Sequence, residues 1–116
     1  MKLGVFTVLF ADKSLEEMLD YVQSQGLDTV EIGTGGFVGD PHCKPAELLA
    51  DERKLQAFKK AFDDRGISIS ALSCHGNPLH PNKEIAQDFH NKFIDTVKLA
   101  EKLDVETIVT FSGCPG

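Results

Sequence analysis

The sequence predicts an α/β fold of parallel strands, the first half of a (β/α)8 barrel, in a single partial domain over residues 1–116. Three observations lead there. Short apolar, β-branched runs alternate with amphipathic helical patterns along the whole chain, and strands joined by helical crossovers run parallel. The units recur about every 34 residues, so eight would need roughly 270, near the ~250 of an eight-fold barrel. The reactive side chains gather in the loops that follow the strands, the end at which such folds bind ligands. Four strands are present and the last has no covering helix behind it, which reads as a truncated barrel whose open edges would expose apolar surface.

Residues 3–10, a short run rich in Val, Leu and Phe, form the first strand, covered on both faces. Ser14 opens a helix, Glu17 completes a capping box, and Leu15, Met18, Leu19 and Val22 recur at helical spacing until Gly26 stops it. Residues 29–33 form the second strand. Alternation puts Thr29, Glu31 and Gly33 on one face, and Val30 and Ile32 on the other, against helices. A loop rich in Gly and Pro runs on through Pro45. Asp51 caps the next helix, in which Leu55, Phe58 and Phe62 share a face and Gly66 marks the end. Residues 67–73 are the third strand and 74–81 a loop. Asn82 then caps a third helix with the stripe Ala86, Phe89, Phe93, Val97 and Ala100, and residues 106–111 are the fourth strand.

Composition removes several classes of function. Twelve Lys and Arg against eighteen Asp and Glu give a net charge of −6 and a pI of about 5.1, with no basic stripe. Nucleic acid and anionic membrane surfaces are therefore poor partners. No run approaches the roughly 18 apolar residues of a membrane span. Residues 3–11 follow Lys2 as the apolar stretch of a signal peptide would, but Leu9 is too bulky for the cleavage motif, so the run is read as a buried strand. Cys43, Cys74 and Cys114 are odd in number, widely spaced and without C-x-x-C, which argues against a disulfide framework and for a cytoplasmic chain.

The strand-end loops hold Glu31, His42, Cys43, Cys74, His75, Asn77, His80, Ser112 and Cys114, whereas the loops at the other end are short and chemically plain. Glu31 interrupts an apolar strand, and a buried carboxylate is costly unless paired or ligating. It is either a site residue or a hydrogen-bonded structural glutamate. His75 shares a face with Ala71 and Ser73 and is either a substrate or metal contact or a histidine bonded to loop backbone. His80, between Leu79 and Pro81, divides evenly between site and loop packing, and His90 inside a helix reads as solvated or partly packed. The dyads His42-Cys43 and Cys74-His75 with Cys114 lack the tight ligand pairs of structural zinc sites. Residues 33–39, rich in glycine, do not match G-x-G-x-x-G and read as a ligand-covering or flexible loop.

Glu31-Ile-Gly, Ser73-Cys-His-Gly-Asn-Pro-Leu-His-Pro81 and Thr110-Phe-Ser-Gly-Cys-Pro-Gly116 resemble the sugar phosphate isomerase/epimerase family of the xylose-isomerase-like TIM barrels, which also include endonuclease IV. The resemblance spans the N-terminal half of that family's domain. It implies an enzyme that moves a proton between adjacent carbons of a sugar or sugar phosphate, with a divalent metal (Mn, Mg, Co or Zn) polarising the oxygens and a carboxylate taking the proton. The family's metal ligands come from later strands, beyond Gly116, so this half alone should be inactive. What carries over is a substrate pocket with Phe6, Glu31 and His75 as wall and Asn77, His80 and Ser112 around it; no metal ligand is assigned in this half, with His75 as the one alternative. In the endonuclease branch the third and fourth strand ends each supply a metal-binding histidine; His75 fits the first, but Ser112 stands at the second, which with the acidic charge lowers the repair-nuclease reading. A third reading is a complete small α/β module for binding or assembly that finishes its sheet with a partner. The expected partner is a small sugar or sugar phosphate, with a homo-oligomer left open and neither nucleic acid nor membrane.

Overall fold

The computed structural model describes residues 4–37 and 39–110. Its elements are β1 (Gly4–Phe6), α1 (Leu15–Ser24), β2 (Thr29–Gly36), α2 (Pro45–Ala50), α3 (Glu52–Asp63), β3 (Ser68–His75), α4 (Lys83–Leu103) and β4 (Ile108–Thr110). The four strands form one parallel sheet in the order β1-β2-β3-β4, the sequential arrangement of a barrel's first half. Helices cover one face of it. Val30, Ile32 and Leu72 from the strands meet Met18, Leu19 and Val22 of α1, Leu55, Phe58 and Phe62 of α3, and Leu99 and Ala100 of α4 in a single buried cluster. Among the described residues no helix is long and apolar enough to cross a membrane.

The helix starts follow their caps. The Ser14 hydroxyl accepts the Glu17 amide at 3.2 Å. The Asp51 carboxylate accepts the amides of Arg53 and Lys54, and the Asn82 side chain those of Glu84 and Ile85. These caps satisfy amides that the first helical turn leaves without a backbone acceptor.

Four expectations need correction. The first strand stops at Phe6, because its ladder with β2 covers only three residues, and residues Thr7–Phe10 wind into a 3-10 turn. The second and third strands run further than expected, to Gly36 and His75. Glycine is depleted in strands, yet Gly36 has φ +74° and its missing side chain is what admits the His75 carbonyl, which the Phe37 amide then bonds. The long loop contains α2, with Pro45 at its first turn. On α4 the buried face is Thr96, Leu99 and Ala100; Ala86, Phe89 and Phe93 are half-buried and Val97 is exposed. Phe89 instead packs at a tilt against Phe37, ring centroids 5.4 Å apart, and lies under Gly76, where a methyl group would strike its ring.

The β2–β3 ladder slips twice. Thr29 and Val30 pair with Ser68 and Ile69; Glu31, Ile32 and Gly33 pair with Ala71, Leu72 and Ser73; Gly35 and Gly36 pair with Cys74 and His75. Ser70 is thus an extra residue in β3 and Thr34 an extra residue in β2, and the second slip undoes the first. Between the two bulges lies a window of three residue pairs displaced by one residue from its flanks.

Candidate active site

That window decides which side chains meet. Paired residues of a parallel ladder share a face. In the displaced register Glu31 pairs with Ala71 and Gly33 with Ser73, while Ile32 and Leu72 turn together into the helix-covered core. Without the slip Glu31 would oppose Ser70, and Leu72 would oppose Gly33. The face away from the helices therefore carries Phe6 from β1, Glu31 from β2, and Ser73 and His75 from β3.

The Ser73 hydroxyl donates a short hydrogen bond to Glu31 Oε2. Ser73 is fully buried and Glu31 half-buried, so one carboxylate oxygen is held by the protein on an otherwise apolar strand. Beyond them the Phe6 and His75 rings meet edge to face, with centroids 6.3 Å apart and planes at 68°. Chemically the group combines an oriented carboxylate with an imidazole whose ring plane is set by an aromatic neighbour. It can accept from hydroxyl groups and donate to oxygens of a polar, non-planar ligand.

The structure brings Phe6, Glu31 and His75 together and adds Ser73, which the sequence reading placed on the right face but did not single out. Asn77 and His80 serve their own loop. Asn77 Oδ1 accepts the Leu79 amide, the His80 amide bonds the Asn77 carbonyl, and His80 Nδ1 accepts the Asn82 amide just before α4. Ser112 and Cys114 lie outside the described residues. His90 is exposed beside a 230 Å³ slot lined by Cys74, Gly76, Phe89 and Phe93, behind the strand end. His42 is buried in the loop after β2, its Nε2 2.9 Å from the Lys13 carbonyl, and ties the first two strand-end loops together.

Cys43 and Cys74 are buried, free thiols in separate surroundings. Burial, reinforced by Asp40, pushes the Cys43 thiol up to about 12. Burial likewise raises Cys74, opposed by the hydroxyls of Thr96 and Thr34. Raised thiols are poor nucleophiles and poor metal ligands at neutral pH. Among the described residues no three His, Cys, Asp or Glu side chains converge to hold a metal ion.

A parallel β/α sheet with sequential strand order, carrying a carboxylate, a serine and a histidine on the face opposite the helices, matches the first half of a barrel. The chain belongs to the xylose isomerase-like TIM barrel family, whose sequence profile matches residues 19–116. It is 35% identical over 115 residues to the uncharacterized protein YfiH of Bacillus subtilis (strain 168), covering 99% of this chain and 36% of that protein. Among solved structures it is similar to the probable 3-DHS dehydratase AsbF involved in petrobactin synthesis from Bacillus anthracis, with 17% identity, TM-score 0.67, and 97% and 39% of the two chains covered. It is also similar to D-psicose 3-epimerase from Clostridium cellulolyticum H10, determined with D-tagatose, at 18% identity, TM-score 0.60, and 95% and 37% coverage. The chain thus spans little more than a third of the length of each of these relatives.

Proposed function

We propose that these residues form the N-terminal half of a sugar or sugar-phosphate isomerase or epimerase, active in the natural-length protein and not in this segment alone. The observation that carries the reading is the Glu31 carboxylate, which lies within β2 opposite the last residue of β1, is held by Ser73 and shares its face with the Phe6–His75 pair. Family membership supports it, and the names of the structural neighbours, an epimerase and a probable dehydratase, point to enzymes working on oxygenated carbon skeletons.

In this reading the Ser73 hydroxyl holds one Glu31 oxygen, leaving the other to accept from a substrate hydroxyl. His75 donates to a second substrate oxygen, and the Phe6 ring keeps the imidazole from rotating away. These contacts fix the sugar so that the carbon-bound proton meets the base supplied by later strands, a positioning effect. A divalent metal would polarise the substrate oxygens. The described residues do not make up a ligand set for it, and its ligands are assigned to the chain beyond Gly116. The protein is read as cytoplasmic, with a small carbohydrate as partner. The acidic balance still weighs against a repair nuclease.

The test is proton exchange. The natural-length protein, with Mn or Mg supplied, is incubated in D2O with a panel of ketoses, aldoses and their phosphates, and deuterium at the carbon beside the carbonyl is followed by NMR. Incorporation with at least one sugar, and conversion to its isomer or epimer, is the expected outcome. No incorporation with any member of the panel would overturn the reading.

A further inference from the structure

Two hydroxyl side chains occupy the two bulges, and each reaches across the ladder. Ser70 Oγ donates to the Val30 carbonyl at 3.1 Å, and Thr34 Oγ1 to the Ser73 carbonyl at 3.2 Å. An extra residue in one strand interrupts the regular backbone bonding. At both interruptions a side-chain donor spans the gap. The two bonds sit at the two ends of the displaced window that puts Glu31 beside Ser73.

Thr34 is anchored further. It is 2% exposed, and its oxygen lies 2.8 Å from that of Thr96, which is wholly buried on α4. The Thr96 hydroxyl in turn donates to the Lys92 carbonyl at 2.9 Å. Each hydroxyl has one hydrogen; with that of Thr96 directed to Lys92, the Thr34 hydrogen lies between the Ser73 carbonyl and the Thr96 oxygen. The two hydroxyls thus tie the backbone of the residue whose side chain grips Glu31 to α4. The packing around them excludes water, which would otherwise replace either bond.

We infer that Thr34, backed by Thr96, and Ser70 are positioning residues for the Glu31–Ser73 pair: they lock the one-residue displacement that gives the pocket its carboxylate. The inference rests on Glu31 being a pocket residue. Its consequence is that an isosteric loss of a hydroxyl some distance from any ligand changes the environment of the Glu31 carboxylate.

The experiment follows the Glu31 ¹³Cδ resonance of the natural-length protein at a fixed neutral pH without substrate. Ser73→Ala calibrates the displacement caused by losing the hydrogen bond. Thr34→Val, which keeps the shape and removes the hydroxyl, is expected to reproduce about half of that displacement or more, with Thr96→Val giving a smaller change in the same direction. Thr34→Ser restores the wild-type position. If Thr34→Val does not fold, Ser70→Ala at its more exposed bulge decides, with a displacement expected there too. A Glu31 resonance that stays at its wild-type position in the folded bulge variants, while their urea midpoints fall, would make these hydroxyls merely structural and overturn the inference. Because no sugar is present, the outcome is separable from that of the exchange assay. A displaced resonance in a protein that exchanges no sugar proton would keep the positioning role and remove the isomerase reading.

Discussion

Glu31→Gln separates a working carboxylate from a structural one. Glu31 is half-buried, and one of its oxygens accepts from Ser73. Glutamine fits the same space, and its carbonyl oxygen can take the Ser73 bond, so the fold loses no hydrogen bond. The amide nitrogen then occupies the place of the second oxygen, at the partly open side of the residue. The expected change in stability is below about 1 kcal/mol, the scale of one neutral hydrogen bond. A substrate hydroxyl that had donated to an ionised oxygen now meets an amide donor. The loss of a charge-assisted bond, about 1.5–3 kcal/mol, corresponds to a fall in kcat/KM of roughly ten- to a hundredfold. The assay is initial-rate kinetics on whichever sugar the exchange panel identifies, with urea denaturation of the same preparation. A drop in stability of about 2 kcal/mol or more with a proportionate loss of active protein would mark Glu31 as structural. An unchanged kcat/KM would remove it from the pocket altogether.

Further outcomes are equally specific. His75→Ala should lower kcat/KM by roughly ten- to a hundredfold with bound metal still stoichiometric; loss of the metal as well would make His75 a ligand. Gly36→Ala should cost about 1–3 kcal/mol, since it combines a left-handed backbone with a collision at the His75 carbonyl, and a wild-type urea midpoint would contradict that geometry. The Cys43 thiol is raised from 9.0 to about 12. Between those values the unfolded chain releases a proton that the folded chain keeps, so stability falls as pH rises through that window. Cys43→Ala should flatten the urea-derived stability profile there, and an identical slope in both proteins would refute the burial of the thiol. The isolated 116-residue chain should scatter light in a concentration-dependent way, because β1 and β4 each pair on one side among the described residues. A clean, cooperative monomer would count against the half-barrel reading.

Much of the fold is legible locally. Ser14, Asp51 and Asn82 announce their helices because capping is a property of three or four neighbouring residues, and Val30 and Ile32 show their core face through simple alternation. Glu31 and His75 stand out because each breaks an apolar context. What escapes is what depends on a partner distant in sequence. Nothing near Ser70 or Thr34 marks them as extra residues; a bulge exists only relative to the opposite strand. The Ser73–Glu31 bond escapes for the same reason, although Ser73 already shares a face with His75. The face of α4 escapes because Phe89, Phe93 and Val97 make a more apolar stripe than Thr96 and Leu99, and the second partner of the buried Thr96 hydroxyl, Thr34, lies far away in sequence. The six residues of α2 are too few to show a helical period.

The paired bulges also bear on how such a sheet can change in length over generations. A deletion within a regular strand inverts every residue beyond it, so that core side chains would face the pocket. Loss of Ser70 would instead leave Ile69 and Ala71 adjacent, opposite Val30 and Glu31, which are adjacent already; loss of Thr34 would do the same for Gly33 and Gly35 against Ser73 and Cys74. These are two positions in the ladder where one codon can vanish while Glu31 still looks at the same neighbours. Gene copies of unequal strand length can therefore share one active-site lining, and an alignment that opens its gaps elsewhere in these strands would misassign inside and outside.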